Sequence, residues 1–560
     1  MNKQIGKILS LKFQIFQRHT IVGDIENNFI LLKKAYLDSV KLKCDFFLTP
    51  EMYLSGYPPK DLLLRNDFNK KLIVFQEKIK KLTRNRKTLL VLGTPQKKYD
   101  GLFNSAIVFQ DGKILKEFTK IVLPNYGVFD EKRYFISGAI SDDYFLFQDK
   151  KIRILICEDI WDDNLISKIS NKGYDFLLVI NASPFEKDKF MLRYKLIKKR
   201  VRQFNAPLIY LNSSGSQDDL IFDGGSFLMN ENGEIEHQNP FFINSSNTFT
   251  YNPRKKNKKK KKIVKLNYNK NLYDALVVSL RNYFNALDFK NIVVAISGGI
   301  DSALSAVIAC DAVGNKNVKG YYLPSKFSSN ESMNDAKTLS KNLKIQLVEL
   351  SIINLFNEYI NTLNPEFKNF SNDVTEENIQ SRIRGSMMMA ISNKFNSLLI
   401  TTGNKSELAV GYSTIYGDMC GGYSILKDVY KTEVMKLAKF RNLNFSDLCL
   451  LKKFKIIPKN IISKEPTAEL RYNQKDSDSL PSYKLLDKVL FCLIEKNMSL
   501  EEIKNLGFDK QIILDIWNMI KNSEFKRFQS VLGPKISIMN FDSDRRFPII
   551  NKFKIDNLPC

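Results

Sequence analysis

The first candidate for covalent chemistry is a cysteine set directly behind an apolar run, Ile152-Arg153-Ile154-Leu155-Ile156 into Cys157-Glu158-Asp159. A lone cysteine is ordinarily a small buried hydrophobe. Here, however, Glu51 follows the run Phe46-Phe47-Leu48 and Ser183 follows Phe176–Ile180 in the same way, and Lys120 precedes the loop Leu123-Pro124-Asn125-Tyr126-Gly127. A thiol becomes a nucleophile when a base takes its proton and a cation steadies the developing charge. Glu51 and Lys120 can do both jobs. The chain holds only two histidines, His19 and His237, so any Cys-His or Ser-His-Asp mechanism would have to use one of them, and a His-rich metal centre is not expected.

A second constellation reads Ser297-Gly298-Gly299-Ile300-Asp301-Ser302-Ala303, between the apolar run Ile292–Ile296 and an apolar helical stretch from Ser302 to Cys310. Glycines let backbone N–H groups approach phosphate, and a helix N-terminus adds partial positive charge. No lysine follows a second glycine, so this is not a Walker A loop. An acid beside phosphates suits a divalent cation, and Mg²⁺ takes carboxylate and phosphate oxygens. The expected ligands are therefore Mg²⁺ and a nucleotide.

The elements that must hold these groups are short apolar runs alternating with helical stretches. In the first half the runs Phe46–Leu48, Thr88–Leu92, Ile152–Ile156, Phe176–Ile180 and Pro207–Leu211 each end in polar residues, with helical patterns over 68–82 and 187–203 between some of them. Buried strands with functional groups at their C-terminal ends are the pattern of α/β layers. The second half opens with an amphipathic helical pattern over 271–286 and then strand, Gly-rich loop, helix and a further strand near 318–323, a βαβ opening for a nucleotide. Residues 252–262, NPRKKNKKKKK, carry no apolar side chain and predict an exposed linker or surface loop.

The 560 residues suggest several domains, and the seven cysteines form no CxxC pair, which points to free thiols in a reducing compartment. The formal charge of +26 comes from lysines spread along a chain rich in Asn and Ile; it reads as compositional background, so neither nucleic acid nor membrane is an expected partner. Lys7 and Lys12 interrupt any leader-like apolar block, and a cytoplasmic location is expected.

Glu51, Lys120 and Cys157, with the segments Pro50–Pro59 and Cys157-Glu158-Asp159 around them, resemble the Glu-Lys-Cys triad of the nitrilase (carbon–nitrogen hydrolase) family, in its glutaminase branch. The resemblance implies an α-β-β-α sandwich, Glu51 as general base, Cys157 as the nucleophile that forms a thioester with glutamine, and Lys120 stabilising the oxyanion. It also implies glutamine contacts at Tyr126, Glu131, Glu158, Ser183 and Lys189, Glu131 being the additional acid near the lysine. The 297–303 loop resembles that of the ATP pyrophosphatases. With Glu377–Arg384, Thr401–Glu407, Gly411–Asp418, Lys427–Lys431 and Lys526–Gln529 it resembles the NAD synthetases, so that nearly the whole chain resembles the glutamine-dependent NAD⁺ synthetase family.

That likeness implies a glutaminase domain over 1–250, a linker over 251–268, and a Rossmann-like, doubly wound α/β ATP-pyrophosphatase domain over 269–560. Asp301 and Glu407 would bind Mg²⁺. Ser297, Gly298, Gly299, Ile300, Asp301, Ser302, Ala303 and Thr402 would hold ATP; Asn378, Arg382, Glu407, Asp418 and Lys526 would contact deamido-NAD (nicotinic acid adenine dinucleotide), with Arg384 an alternative to Arg382 for a substrate phosphate. ATP would activate the nicotinate carboxylate as an acyl-adenylate, ammonia from glutamine would reach it by an internal passage, and the protein would assemble as a homo-oligomer, an octamer by resemblance. Cys420, Thr467 and Val531–Pro534 depart from the usual family pattern without removing a catalytic group. A Cys-His-Glu glutaminase finds no suitable histidine here, and one that uses an N-terminal cysteine finds Asn2.

Overall fold

Alternation along the strands decides the layers of the first half. Phe46 and Leu48 point into one apolar cluster and Phe47 into another; Leu89 and Val91 share the first cluster while Leu90 and Leu92 share the second. Successive side chains on a strand take opposite faces, so each of these strands is covered on both sides. The computed structural model describes residues 10–252, 267–549 and 555. The chain divides into two units, Met1–Lys265 and Leu266–Cys560. The lysine-rich run from residue 253 onward and the first nine residues lie outside the described residues.

The first unit holds two six-stranded sheets. One runs in the order Ser245–Tyr251, Leu11–Gln17, Phe46–Leu48, Leu89–Lys98, Gly101–Gln110, Lys113–Thr119; the other runs Ile235–Gln238, Phe227–Met229, Leu208–Asn212, Phe176–Asn181, Lys150–Ile156, Phe145–Phe147. Their inner faces form one core in which Phe13 stacks on Phe176 across the layers, with ring centroids 5.0 Å apart. The helices Ile25–Lys41 and Asn66–Leu82 cover the first sheet through Leu32, Tyr36, Leu72, Phe75 and Ile79. Lys189–Phe204 covers the second, with Phe190 edge-on to Phe227. This is the α-β-β-α sandwich that the sequence implied. In the first sheet Phe46–Leu48 runs parallel to both of its neighbours; in the second Lys150–Ile156 and Phe176–Asn181 run parallel to each other, which sets their C-terminal ends side by side.

The second unit is built on a five-stranded, wholly parallel sheet in the order Gln346–Glu349, Val318–Tyr322, Asn291–Ala295, Ser397–Thr401, Tyr423–Ser424. The chain winds outward from Asn291–Ala295 in one direction and then resumes beside it at Ser397–Thr401. That reversal opens a crevice at the C-terminal ends of these two strands, where open α/β sheets bind their ligands. The helix Ile300–Val313 leaves the first of them and Lys405–Val410 the second. A helical cluster from Tyr483 to Phe528 buries Leu486, Val489, Ile513 and Ile516. Among the described residues Cys44, Cys157, Cys310, Cys420, Cys449 and Cys492 are free thiols, and no helix is long and apolar enough to cross a membrane.

Candidate active sites

In the first unit two strand ends and the short turn Glu131–Arg133 deliver one buried charge cluster. Lys120 Nζ lies 2.8 Å from Glu51 Oε1 and 2.8 Å from Glu131 Oε1, and the side chains of Lys120 and Glu51 are fully buried. Glu51 Oε1 also accepts from Asn104 Nδ2 at 2.7 Å, and its Oε2 accepts from the backbone N–H of Ala182 at 2.8 Å. Tyr57 Oη donates to Glu131 at 3.1 Å. Burial works against both charged forms, but two carboxylates around one ammonium reverse this for Lys120, whose pKa is driven well above its ordinary value. Glu131 is pushed up to about 7 by burial, with Lys120 opposing.

Cys157 is buried at the head of the short turn Cys157–Ile160, with a left-handed φ of +48°. A non-glycine residue in that region is strained, and such strain collects where a side chain must be aimed. Burial, and next the charge of Glu51, raise the thiol pKa well above normal, with Lys120 pulling the other way. The resting sulfur is therefore a protonated thiol that needs a base.

The expected glutamine contacts divide. Tyr126, 60 % exposed, donates its hydroxyl to Glu158 Oε1 at 2.9 Å at the edge of the cluster. Ser183 is buried, and its carbonyl and hydroxyl both accept from Arg193 Nη2. Lys189 Nζ is paired with Glu186 at 2.9 Å. Three groups make contacts to which the sequence reading assigned no role. Asn104 donates to Glu51 and Tyr57 to Glu131, and Asp159 accepts from the backbone N–H groups of Ile121, Val122 and Ile156 at 2.9, 2.8 and 3.0 Å. Asp159 thus ties the residues next to Lys120 and Cys157 together.

In the second unit the crevice is a cavity of about 420 Å³. Ser297, Gly298, Gly299, Ile300, Asp301 and Ser302 line it on one side, with Thr402 and Glu407 opposite. Gly298 has a φ of +84°, and a Cβ there would meet the carbonyl oxygen of Ser332 at 2.5 Å, so the turn requires glycine. Ser302 Oγ donates to the carbonyl of Gly299 at 3.0 Å and accepts from Ser297 N at 3.2 Å, which closes the loop on itself. Asn404 caps the next helix by accepting from Glu407 N at 3.0 Å and donates to Asp301 Oδ1 at 2.9 Å. Lys431 Nζ then bridges Asp301 Oδ2 at 2.5 Å and Glu407 Oε1 at 3.0 Å. Burial, with the charge of Asp301 adding and Lys431 opposing, pushes the Glu407 carboxyl up to about 7.

Asn378, Asp418 and Lys526 also line the cavity. Asp418 accepts from Thr414 N at 2.6 Å, and burial lifts its carboxyl to about 6. Lys526 Nζ donates to the carbonyls of Gly411 and Ser413, both at 2.8 Å. Ala303 is buried in the helix behind the loop, outside the cavity lining. Arg382 also stands outside the lining, exposed, with its Nε on the carbonyl of Ile415 at 3.3 Å. Arg384 lines the cavity instead; its Nε donates to Leu323 O at 2.9 Å, and burial brings its guanidinium down to about 10. Of the two arginines, Arg384 is the one placed for an anion. Two carboxylate oxygens, from Asp301 and Glu407, converge on one cation, which is the donor set a partly phosphate-bound Mg²⁺ needs from the protein. No cluster of three or more His, Cys, Asp or Glu side chains is arranged for a metal among the described residues.

Fold and sites together define an amide-hydrolysing unit joined to a nucleotide-dependent synthase. The carbon-nitrogen hydrolase family model matches residues 14–245, and the NAD synthase model matches residues 272–530. The glutamine-dependent NAD(+) synthetase of Acinetobacter baylyi is 39% identical over 550 residues, which span 98% of this chain and all of the relative; that of Thermotoga maritima is 37% identical over 97% of this chain and 99% of the relative. The solved glutamine-dependent NAD+ synthetase from Acinetobacter baumannii, in complex with adenosine diphosphate, aligns with a TM-score of 0.78 at 36% identity over 98% of this chain and all of that one. A Cytophaga hutchinsonii counterpart shares the fold, with a TM-score of 0.83 over 97% of this chain and 98% of that one at 20% identity. The chain belongs to the glutamine-dependent NAD⁺ synthetase family, and it is a carbon–nitrogen ligase that takes its amide nitrogen from glutamine.

Proposed function

We propose that glutamine is hydrolysed at Cys157 and that the ammonia released amidates deamido-NAD in the second unit through an acyl-adenylate. The buried Glu51–Lys120 pair, 2.8 Å apart and carried with Cys157 on strand ends of one sandwich, supports this reading most directly. Glu51 takes the thiol proton as sulfur attacks the γ-carbonyl of glutamine. Lys120, held charged by two carboxylates, faces the oxyanion that forms, and a fixed cation in a dry site acts strongly there. Collapse expels the amine, which leaves as ammonia with the proton from Glu51. Water, activated by the same carboxylate, then cleaves the thioester to glutamate and restores the thiol.

In the second unit the 297–302 loop and Thr402 hold ATP, and Asn378, Arg384, Asp418 and Lys526 stand around deamido-NAD. A nicotinate carboxylate oxygen attacks the α-phosphorus, pyrophosphate leaves, and ammonia then displaces AMP from the acyl carbon to give NAD⁺. Asp301 and Glu407 would hold Mg²⁺, which neutralises charge on the phosphate oxygens and the departing pyrophosphate. The reading places the enzyme in the cytoplasm as a homo-oligomer, with ammonia passed internally from the glutamine site to the nucleotide site. The test is to supply deamido-NAD, ATP, Mg²⁺ and glutamine and to follow NAD⁺, AMP and glutamate together. Equal amounts of NAD⁺ and AMP are expected; ADP in place of AMP would refute the adenylate.

A further inference from the structure

Lys431 stands where the metal is expected. Its side chain is 3 % exposed, and its Nζ contacts both Asp301 Oδ2 at 2.5 Å and Glu407 Oε1 at 3.0 Å while lying 5.1 Å from the centre of the Tyr483 ring. The other oxygen of each carboxylate is already committed: Asp301 Oδ1 accepts from Asn404 Nδ2, and Glu407 Oε2 accepts from Asn404 N at 3.3 Å. The two oxygens that converge on one point between these residues are therefore the two that the ammonium now occupies. An ammonium and a divalent cation cannot share that point, because like charges at contact distance in a shielded site repel strongly.

Two further observations bear on what resolves the competition. The protein brings two carboxylates to this point, and no larger ligand cluster exists among the described residues. Mg²⁺ wants about six oxygens and usually completes its shell with water and substrate phosphates. The backbone of Lys431 is pinned, since its N–H donates to Ser406 Oγ at 2.9 Å at the start of the helix Lys431–Leu443. Only the four-carbon stem is free to swing, and such a stem moves its charge without disturbing the helix. An incoming triphosphate supplies the missing metal ligands and a new anionic partner for the ammonium together.

We infer that Lys431 is a built-in counter-ion which occupies the cation position between Asp301 and Glu407 in the nucleotide-free enzyme, so that the divalent metal enters with the nucleotide and not ahead of it. The inference rests on the assignment of Asp301 and Glu407 as metal ligands. Mn²⁺ binding to the full-length protein, read by electron paramagnetic resonance without nucleotide at one fixed pH for all variants, tests it. Lys431→Met should bind Mn²⁺ at least about tenfold more tightly than the unaltered enzyme, roughly 1.4 kcal/mol. Adding Asp301→Asn should abolish the gain. Lys431→Gln serves as a second variant should methionine perturb folding. Unchanged Mn²⁺ affinity in both lysine variants overturns the counter-ion role. Should the unaltered enzyme and Asp301→Asn bind Mn²⁺ equally well in the presence of ATP, the metal assignment itself fails and the proposal falls with it.

Discussion

A thiol whose pKa is pushed upward by its own base is an unusual nucleophile, and Cys157 is in that position. Glu51 is the second largest cause of the shift after burial, yet Glu51 is also the group proposed to accept the thiol proton. The two roles make opposite predictions for Glu51→Gln. Removing the negative charge should move the pH midpoint of Cys157 alkylation by iodoacetamide downward, because the thiolate no longer faces a carboxylate. Glutamine hydrolysis by the same variant should fall by about 10²–10⁴-fold, the usual worth of a general base. A midpoint that stays put or rises would remove Glu51 from the sulfur's surroundings. Retained hydrolysis would remove it from catalysis. At this scale the sequence was most informative: Glu51 and Cys157 stood out by residue type at the ends of apolar runs and Lys120 by the loop it precedes, and the fold sets Glu51 and Lys120 2.8 Å apart.

Elements were legible in proportion to how evenly they are buried. The central strands at 46–48, 176–181 and 208–212 are apolar on both faces and stood out. The half-solvated strand Lys113–Thr119 has no such run. The helix Val374–Phe395 starts three residues ahead of Glu377, where the motif was read, although Asp373 and Glu376 form a capping box that announces it. Its burial also explains the arginine pair. Residues two apart on a helix point about 200° apart, so Arg384 reaches the cavity and Arg382 reaches solvent, and the helix carries no clear apolar stripe from which to choose between them. Asp159, quoted in the Cys157-Glu158-Asp159 segment, received no role for another reason: its partners are backbone amides, two of them in the distant loop at Ile121 and Val122, and these leave no trace in side-chain pattern. Its carboxylate, lifted to about 6 by burial, holds the ends of two elements in register. Asp159→Ala should therefore lower kcat with glutamine by about 10²-fold, the loss that a displacement of about 1 Å can produce, and should leave the ammonia-supported rate unchanged. Equal losses with both nitrogen donors would mean a general structural defect instead.

For the whole molecule, the question is why two such sites share a chain. Ammonia is mostly protonated at neutral pH, and the ammonium ion has no lone pair with which to attack an acyl-adenylate. An enzyme drawing on free ammonia would work on a small fraction of what is present. Releasing the amine from glutamine one molecule at a time supplies the neutral form, provided it is consumed before it picks up a proton. This division of labour has a consequence that neither unit shows alone. Cys157→Ala should lose glutamine-dependent NAD⁺ formation by at least about 10³-fold, as removal of a covalent nucleophile does elsewhere. With added ammonium salt the same variant should retain synthesis, and the rate at fixed total ammonium should climb as pH rises, following the neutral fraction. The unaltered enzyme supplied with glutamine should show no such climb over the same range. Loss of both activities in a folded Cys157→Ala protein would mean that the second unit depends on the first for more than ammonia. A glutamine-driven rate that tracks pH as steeply as the ammonia-driven one would mean that the nitrogen equilibrates with solvent before it is used.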